Sequence, residues 1–201
     1  MRAIRAIKEA NVNRRTCAAA LLSGLGIAAV RWFQPVGDAI DLSLASGFRD
    51  QDGRQVDLEA DVLRNRTALV NFIYTNCTNA CPLAGAVFVA LQQQLLAERD
   101  SSIALVSISA DPQRDTPQKL KRWAQELGAA PGWTLLCGDD AITTHVAMQL
   151  GGTPPQLQGH VPAVFLRAQR QQRWFRFYGL QRPQEILAAT RAVLAGQVGS
   201  V

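Results

Sequence analysis

The sequence predicts an α/β domain in which helices flank a central mixed sheet, with a β-hairpin on the N-terminal side. Three observations carry that expectation. Two nearly continuous apolar runs, 68–74 and 103–109, suit strands buried on both faces, as parallel strands in the middle of a sheet must be. Helix-forming segments with start and stop signals follow each run, so strand and helix alternate through the middle of the chain. A short strand pair at either end of this alternation supplies antiparallel edges.

Each element has its own local reason. Residues 48–58 place Asp52-Gly53 between short alternating segments, a turn pair that favours a hairpin. The first buried strand, 68–74, leads into a helix from about Cys81 to Arg99, with Pro82 in the first turn, where a missing N–H costs little. After the second buried strand, Thr116 is placed to cap a helix that has Pro117 at its first position and Gly128 as its stop. A short strand at 133–136 and an Asp-capped helix at 139–150 follow. The Gly/Pro-rich stretch 151–159 reads as a loop. Segments 161–166 and 174–178 pair as a hairpin, and a helix over 183–195 closes the chain.

Charge separates the ends of the chain. Of 21 Lys/Arg and 16 Asp/Glu in 201 residues, six basic groups and a single acid, Glu9, fall within residues 1–31. The remainder carries 15 of each, so the net charge of +5 belongs to the leader and nothing marks a nucleic-acid face. Five basic residues within 2–15 precede an uncharged apolar stretch, 16–30, the pattern of an export signal. Fifteen helical residues rise about 22 Å, short of the ~30 Å hydrocarbon core. We therefore expect residues 1–37 to be an export signal or a short membrane anchor with linker, and 38–201 to be the folded domain. Arg14-Arg15 allows a twin-arginine signal, and Trp32 and Phe33 suit a membrane interface. Either reading puts the domain outside the cytoplasm, in the periplasm or anchored to the inner membrane and facing it.

The chemistry-bearing residues are two cysteines and a histidine. Cys77 and Cys81 stand where the buried strand gives way to a helix, the end of an α/β sheet at which ligand sites form. A helix N-terminus stabilises thiolates, so both cysteines are expected to be reactive. A four-residue spacing allows a disulfide or a shared metal ion. His160, between the loop and the next strand, could complete a three-coordinate S₂N set, which suits copper; zinc would want a fourth ligand. Pro162 would fit a cis-proline beside the dithiol.

These segments resemble the SCO/SenC family. The resemblance covers about residues 38–195 and rests on Asp50-Gln-Asp-Gly-Arg54, on Asn71-Phe-Ile-Tyr-Thr-Asn-Cys77-x₃-Cys81-Pro82, on Ser107-Ile-Ser-Ala-Asp-Pro112 followed by Asp115-Thr-Pro117, and on the late histidine. It implies a thioredoxin-like fold and a copper-binding metallochaperone for cytochrome c oxidase. The copper ligands it implies are Cys77, Cys81 and His160, holding Cu(I) and also Cu(II). The implied partner is the Cu(A)-bearing oxidase subunit or another assembly factor. Gly159 stands where the family carries an Asp ahead of the histidine.

Two other readings stay open. A thiol–disulfide reductase would use Cys77 and Cys81 as a redox dithiol without tight copper binding. A peroxide-reducing relative would use Thr78-Asn-Ala-Cys81, although Tyr74 replaces the proline that motif carries upstream. Among the remaining residues, Asp111 and Asp115 are expected to cap and turn near the site. Cys137 should be a buried hydrophobe, Cys17 lies in the leader, and His145 and Met148 should pack. Arg167, Arg170, Arg173 and Arg176 should solvate the last hairpin or dock an acidic partner.

Overall fold

A computed structural model describes residues 33–37, 40–78, 80–151, 162–170 and 172–197. Its strands are β1 (Phe33–Gly37), β2 (Ser46–Asp50), β3 (Gln55–Asp57), β4 (Thr67–Ile73), β5 (Ile103–Ser109), β6 (Trp133–Cys137), β7 (Ala163–Ala168) and β8 (Arg173–Tyr178). The α-helices are α1 (Ala80–Ala97), α2 (Pro117–Glu126), α3 (Asp140–Gln149) and α4 (Pro183–Leu194). All eight strands form one sheet in the order β1-β8-β7-β4-β5-β6-β2-β3. The pairs β4–β5 and β5–β6 are parallel, and the other pairings are antiparallel. The mixed sheet flanked by helices is the fold the sequence predicts.

Period-two alternation along the strands splits the core between the two faces. On one face Leu69, Ile73, Leu105 and Leu166 meet Phe88 and Leu91 of α1, Leu120 and Trp123 of α2, and Ile186 of α4. On the other, Val70, Val106, Ile108 and Phe165 meet Val146 of α3, Phe48 of β2, and Leu58 and Leu63. Burial on both sides explains why β4 and β5 read as continuous apolar runs. Helix α1 is long and apolar enough by composition to cross a membrane, yet Gly85, Phe88, Leu91 and Leu95 bury one side of it in this core.

The expected punctuation is in place. Thr116 Oγ1 accepts from Lys119 N at 3.3 Å, and Asp139 Oδ1 accepts from Ile142 N at 2.8 Å. Gly128 ends α2 with φ +79°, a conformation that favours glycine. Two elements carry no signal in the sequence: β1, which pairs with β8, and a π-helical segment, Leu58–Leu63, capped by Asp57. Phe33 lies stacked on Phe175, with ring centroids 5.0 Å apart, and tilted against Phe177 at 4.7 Å. Its ring therefore packs on the sheet, where the sequence suggested a membrane interface.

Two further expectations are corrected here. Met148 is 59% exposed rather than packed, and His145 donates from Nε2 to the Asp41 carbonyl at 2.9 Å. The arginines of the last hairpin divide: Arg170 is exposed as expected, whereas Arg167 and Arg176 are tied into the fold. Arg167 is buried, donating to Leu63 O, to Arg66 O at 3.1 Å and to Glu59 at 2.6 Å, while Arg176 binds Gly151 O at 2.6 Å.

Candidate metal and redox centre

Strand β4 delivers its chain end to the rim of the sheet at Ile73, whose carbonyl accepts from Ala110 N at 2.7 Å. A turn follows, in which Cys77 N donates to Tyr74 O at 3.3 Å. Helix α1 then begins, with Cys81 as its second residue. The two cysteines meet across that junction, where Cys77 Sγ accepts a hydrogen bond from Cys81 N at 3.3 Å. One of the free amides that every helix N-terminus carries is thus satisfied by sulfur. Both cysteines are reduced and buried, Cys77 at 9% exposure and Cys81 at 1%.

Their environments differ. Burial pushes the Cys81 thiol up to about 12, against a smaller downward pull from the Tyr74 backbone amide; the Cys77 sulfur and the Asp115 charge add to the rise. This corrects the expectation that the helix N-terminus activates both cysteines. The helix amide goes to Cys77, and desolvation outweighs the dipole at Cys81. The Tyr74 hydroxyl donates to the Cys77 sulfur, and this bond, with burial behind it, raises the phenol to about 12.

Asp115 anchors the loop from beneath. Its carboxylate, 5% exposed, accepts from Thr75 N at 3.2 Å, from Thr75 Oγ1 at 2.5 Å and from Ser109 Oγ at 2.6 Å. It therefore ties the turn that carries Cys77 to the end of β5. Asp111 has the plainer turn role expected of it, with its backbone carbonyl accepting from Asp115 N at 2.9 Å and its carboxylate from Arg114 Nε at 2.6 Å. Cys137 is buried as expected, its thiol 3.8 Å from the Arg49 carbonyl and pushed up by burial.

The structure thus brings Cys77 and Cys81 together. His160, Cys17 and the peptide ahead of Pro162 lie outside the described residues. Among the described residues no three His, Cys, Asp or Glu side chains converge as a metal site. Pro162, two residues after His160, lines the same small pocket as Ala80, Cys81, Ala84 and Val87 of α1.

Sequence reasoning missed a buried polar chain under this pocket. Trp133 Nε1 donates to Ser107 Oγ at 3.0 Å, and Ser107 Oγ donates to Asn71 Oδ1 at 2.5 Å. The signal was available, because Asn71 and Ser107 are the polar interruptions of two otherwise apolar strands.

A family model described as SCO1/SenC matches residues 43–194. A SCO1 protein homolog of Bacillus subtilis is 37% identical over 92 residues, 45% of this chain and 46% of the relative, so the match spans under half of that relative's length. Among solved structures, BsSco, a Sco-family cytochrome c oxidase assembly protein in which a disulfide switch was identified, superposes with a TM-score of 0.64 at 24% identity, covering 81% of this chain and 94% of that one. Yeast Sco1 with copper bound superposes at 0.62 with 15% identity, covering 76% and 92% respectively. At these identities the structural likeness establishes the shared fold.

Proposed function

Because this chain belongs to the SCO1/SenC family, we propose that it binds copper as cargo through Cys77, Cys81 and His160 and delivers it to the Cu(A) site of a respiratory oxidase. The observation that carries this reading is the meeting of Cys77 Sγ and the Cys81 amide at the end of β4, beside a pocket that Pro162 also lines. His160 stands two residues before Pro162 in the sequence. Two soft thiolates and an imidazole are a donor set that selects copper, Cu(I) above all. The copper-bound yeast relative is in keeping with that cargo. Binding must displace the proton that burial keeps on Cys81, so loading releases protons. We assign residues 1–37 to an export signal or membrane anchor and the domain to the extracytoplasmic side, where an oxidase subunit or a second assembly factor would receive the metal.

Anaerobic titration of the reduced protein with Cu(I) against a competing chelator tests the assignment. One tightly held equivalent, lost in His160→Ala, is expected. Binding far below one equivalent in the native protein removes the copper reading.

The asymmetry of the two thiols favours a second reading, thiol–disulfide exchange. Cys77, the more exposed and the one bonded by the helix amide, would attack a partner disulfide as thiolate and form a mixed disulfide. Cys81 would then give up its proton and resolve it, leaving the Cys77–Cys81 disulfide and two partner thiols. His160→Ala leaves this activity intact, which separates the two readings.

A further inference from the structure

Asn71 is 1% exposed, yet its Nδ2 has no hydrogen-bond partner among the described residues. An unpaired amide nitrogen at that depth is costly to leave, so it calls for a partner. The carbonyl end of the side chain is committed. Trp133 supplies the hydrogen that Ser107 Oγ accepts, which turns the Ser107 hydroxyl toward Asn71 Oδ1 and leaves the Nδ2 hydrogens as the free end.

Strand alternation sets the direction of that free end. Leu69 and Ile73, two residues either side of Asn71, belong to the core cluster that includes Phe88 and Leu91 of α1. Asn71 shares their face and lines the small pocket beneath the first turns of α1 together with Cys81. The pocket has about 10 Å³ open to a water-sized sphere, about the room one water needs. Gln181 also lines it. The Gln181 amide nitrogen already donates to Tyr178 O at 2.6 Å, so its carbonyl oxygen remains to accept.

We propose that this pocket is a single-water site in which the bound water accepts from Asn71 Nδ2 and donates to Cys81 Sγ and to Gln181 Oε1, making Asn71 a positioning residue for the Cys81 sulfur. Three partners are what a buried water ordinarily has. The bond reaches the thiol sulfur in the reduced protein, and a disulfide sulfur is a poorer acceptor still. Asn71 therefore favours the dithiol over the disulfide. This consequence rests on the Cys77–Cys81 redox couple proposed above, whereas the water site itself does not.

The test has two arms on the full chain. In the first, proton NMR of the reduced native protein looks for cross-relaxation between the Asn71 side-chain amide and a long-lived water. A cross-peak supports the site, and its absence from a resolved amide overturns it. In the second, the native protein, Asn71→Leu and Ser107→Ala are equilibrated with glutathione. Protein dithiol and oxidised glutathione exchange for protein disulfide and two reduced glutathiones, and the two protein forms are counted by mass after alkylation. Asn71→Leu should shift the ratio about three-fold toward disulfide, the low end of what one hydrogen bond is worth, as befits a sulfur acceptor. Ser107→Ala breaks the same buried chain but keeps Nδ2, and should leave the ratio within two-fold of native. Equal shifts in both variants, or none in Asn71→Leu, overturn the positioning role. A native protein that never forms the Cys77–Cys81 disulfide refutes the redox reading instead, while the NMR arm still decides the water.

Discussion

Asp115→Ala is the perturbation whose cost the structure specifies best. The carboxylate serves three donors, Thr75 N, Thr75 Oγ1 and Ser109 Oγ, all in a water-poor environment. Removing it orphans the Thr75 amide outright, at about 1–3 kcal/mol. The two hydroxyls can turn to weaker partners and lose about 1 kcal/mol each. A total of about 3–5 kcal/mol follows, a large share of the roughly 5–15 kcal/mol that holds a domain of this size. Asp115→Asn keeps one acceptor oxygen but turns amide hydrogens toward donors, and should cost about half as much. Urea unfolding at unchanged m-value measures both variants. Because Thr75 stands two residues ahead of Cys77, Asp115→Ala should also speed hydrogen exchange at the Cys81 amide, whose acceptor is the Cys77 sulfur. An alanine variant within 0.5 kcal/mol of native, or an asparagine variant no better than alanine, would refute the latch.

Four further outcomes follow from the structure. Alkylation of Cys81 should be slow at pH 8 and keep accelerating above pH 9, because burial holds its thiol at about 12 against an ordinary 9.0; a plateau below pH 9 contradicts this. The fold prefers the protonated Cys81, so that stabilisation is whole below pH 9 and is lost as pH rises toward 12, a decline that Cys81→Ala should flatten in pH-dependent denaturation. Gly85→Ala would set a Cβ 2.4 Å from Leu127 Cδ1 and 2.8 Å from Trp123 Cη2, and should cost about 1–3 kcal/mol in thermal melts by forcing α1 and α2 apart. Arg167→Met leaves the Leu63 and Arg66 carbonyls without their donor, and should cost at least about 2 kcal/mol in urea unfolding.

Much of this fold was legible because its signals are local. Asp139 and Thr116 cap helices through their own side chains, and the runs around Leu69 and Val106 needed only apolar continuity to read as central strands. The cysteine junction was legible for the same reason, as a buried strand passing into a proline-marked helix. What escaped depends on contacts distant in sequence. Phe33 forms a strand because β8 offers Phe175 and Phe177 to stack on, a fact no window around residue 33 contains. Burial of Cys81 beneath α1 cannot be read from its position at a helix start, which argues for the opposite shift. Arg167 looked like one member of a solvated row until Glu59 and two carbonyls proved to surround it.

The row of residues Asn71, Val164, Phe177 and Phe33 runs straight across four neighbouring strands. Three strand spacings of about 4.8 Å put Phe33 some 14 Å to the side of Asn71, level with it. Since β1 starts where β4 finishes, Phe33 begins its strand at the rim that holds the thiols. Helices α1 and α4 both leave this rim, and the Glu98–Arg191 pair joins them toward their far ends, so α4 finishes about 18 Å lower. A handle joined directly ahead of Phe33 would turn the sulfurs toward whatever holds it. A handle joined directly after Leu194 would leave them facing open solution, and the two tetherings should give different apparent rates with a bulky partner.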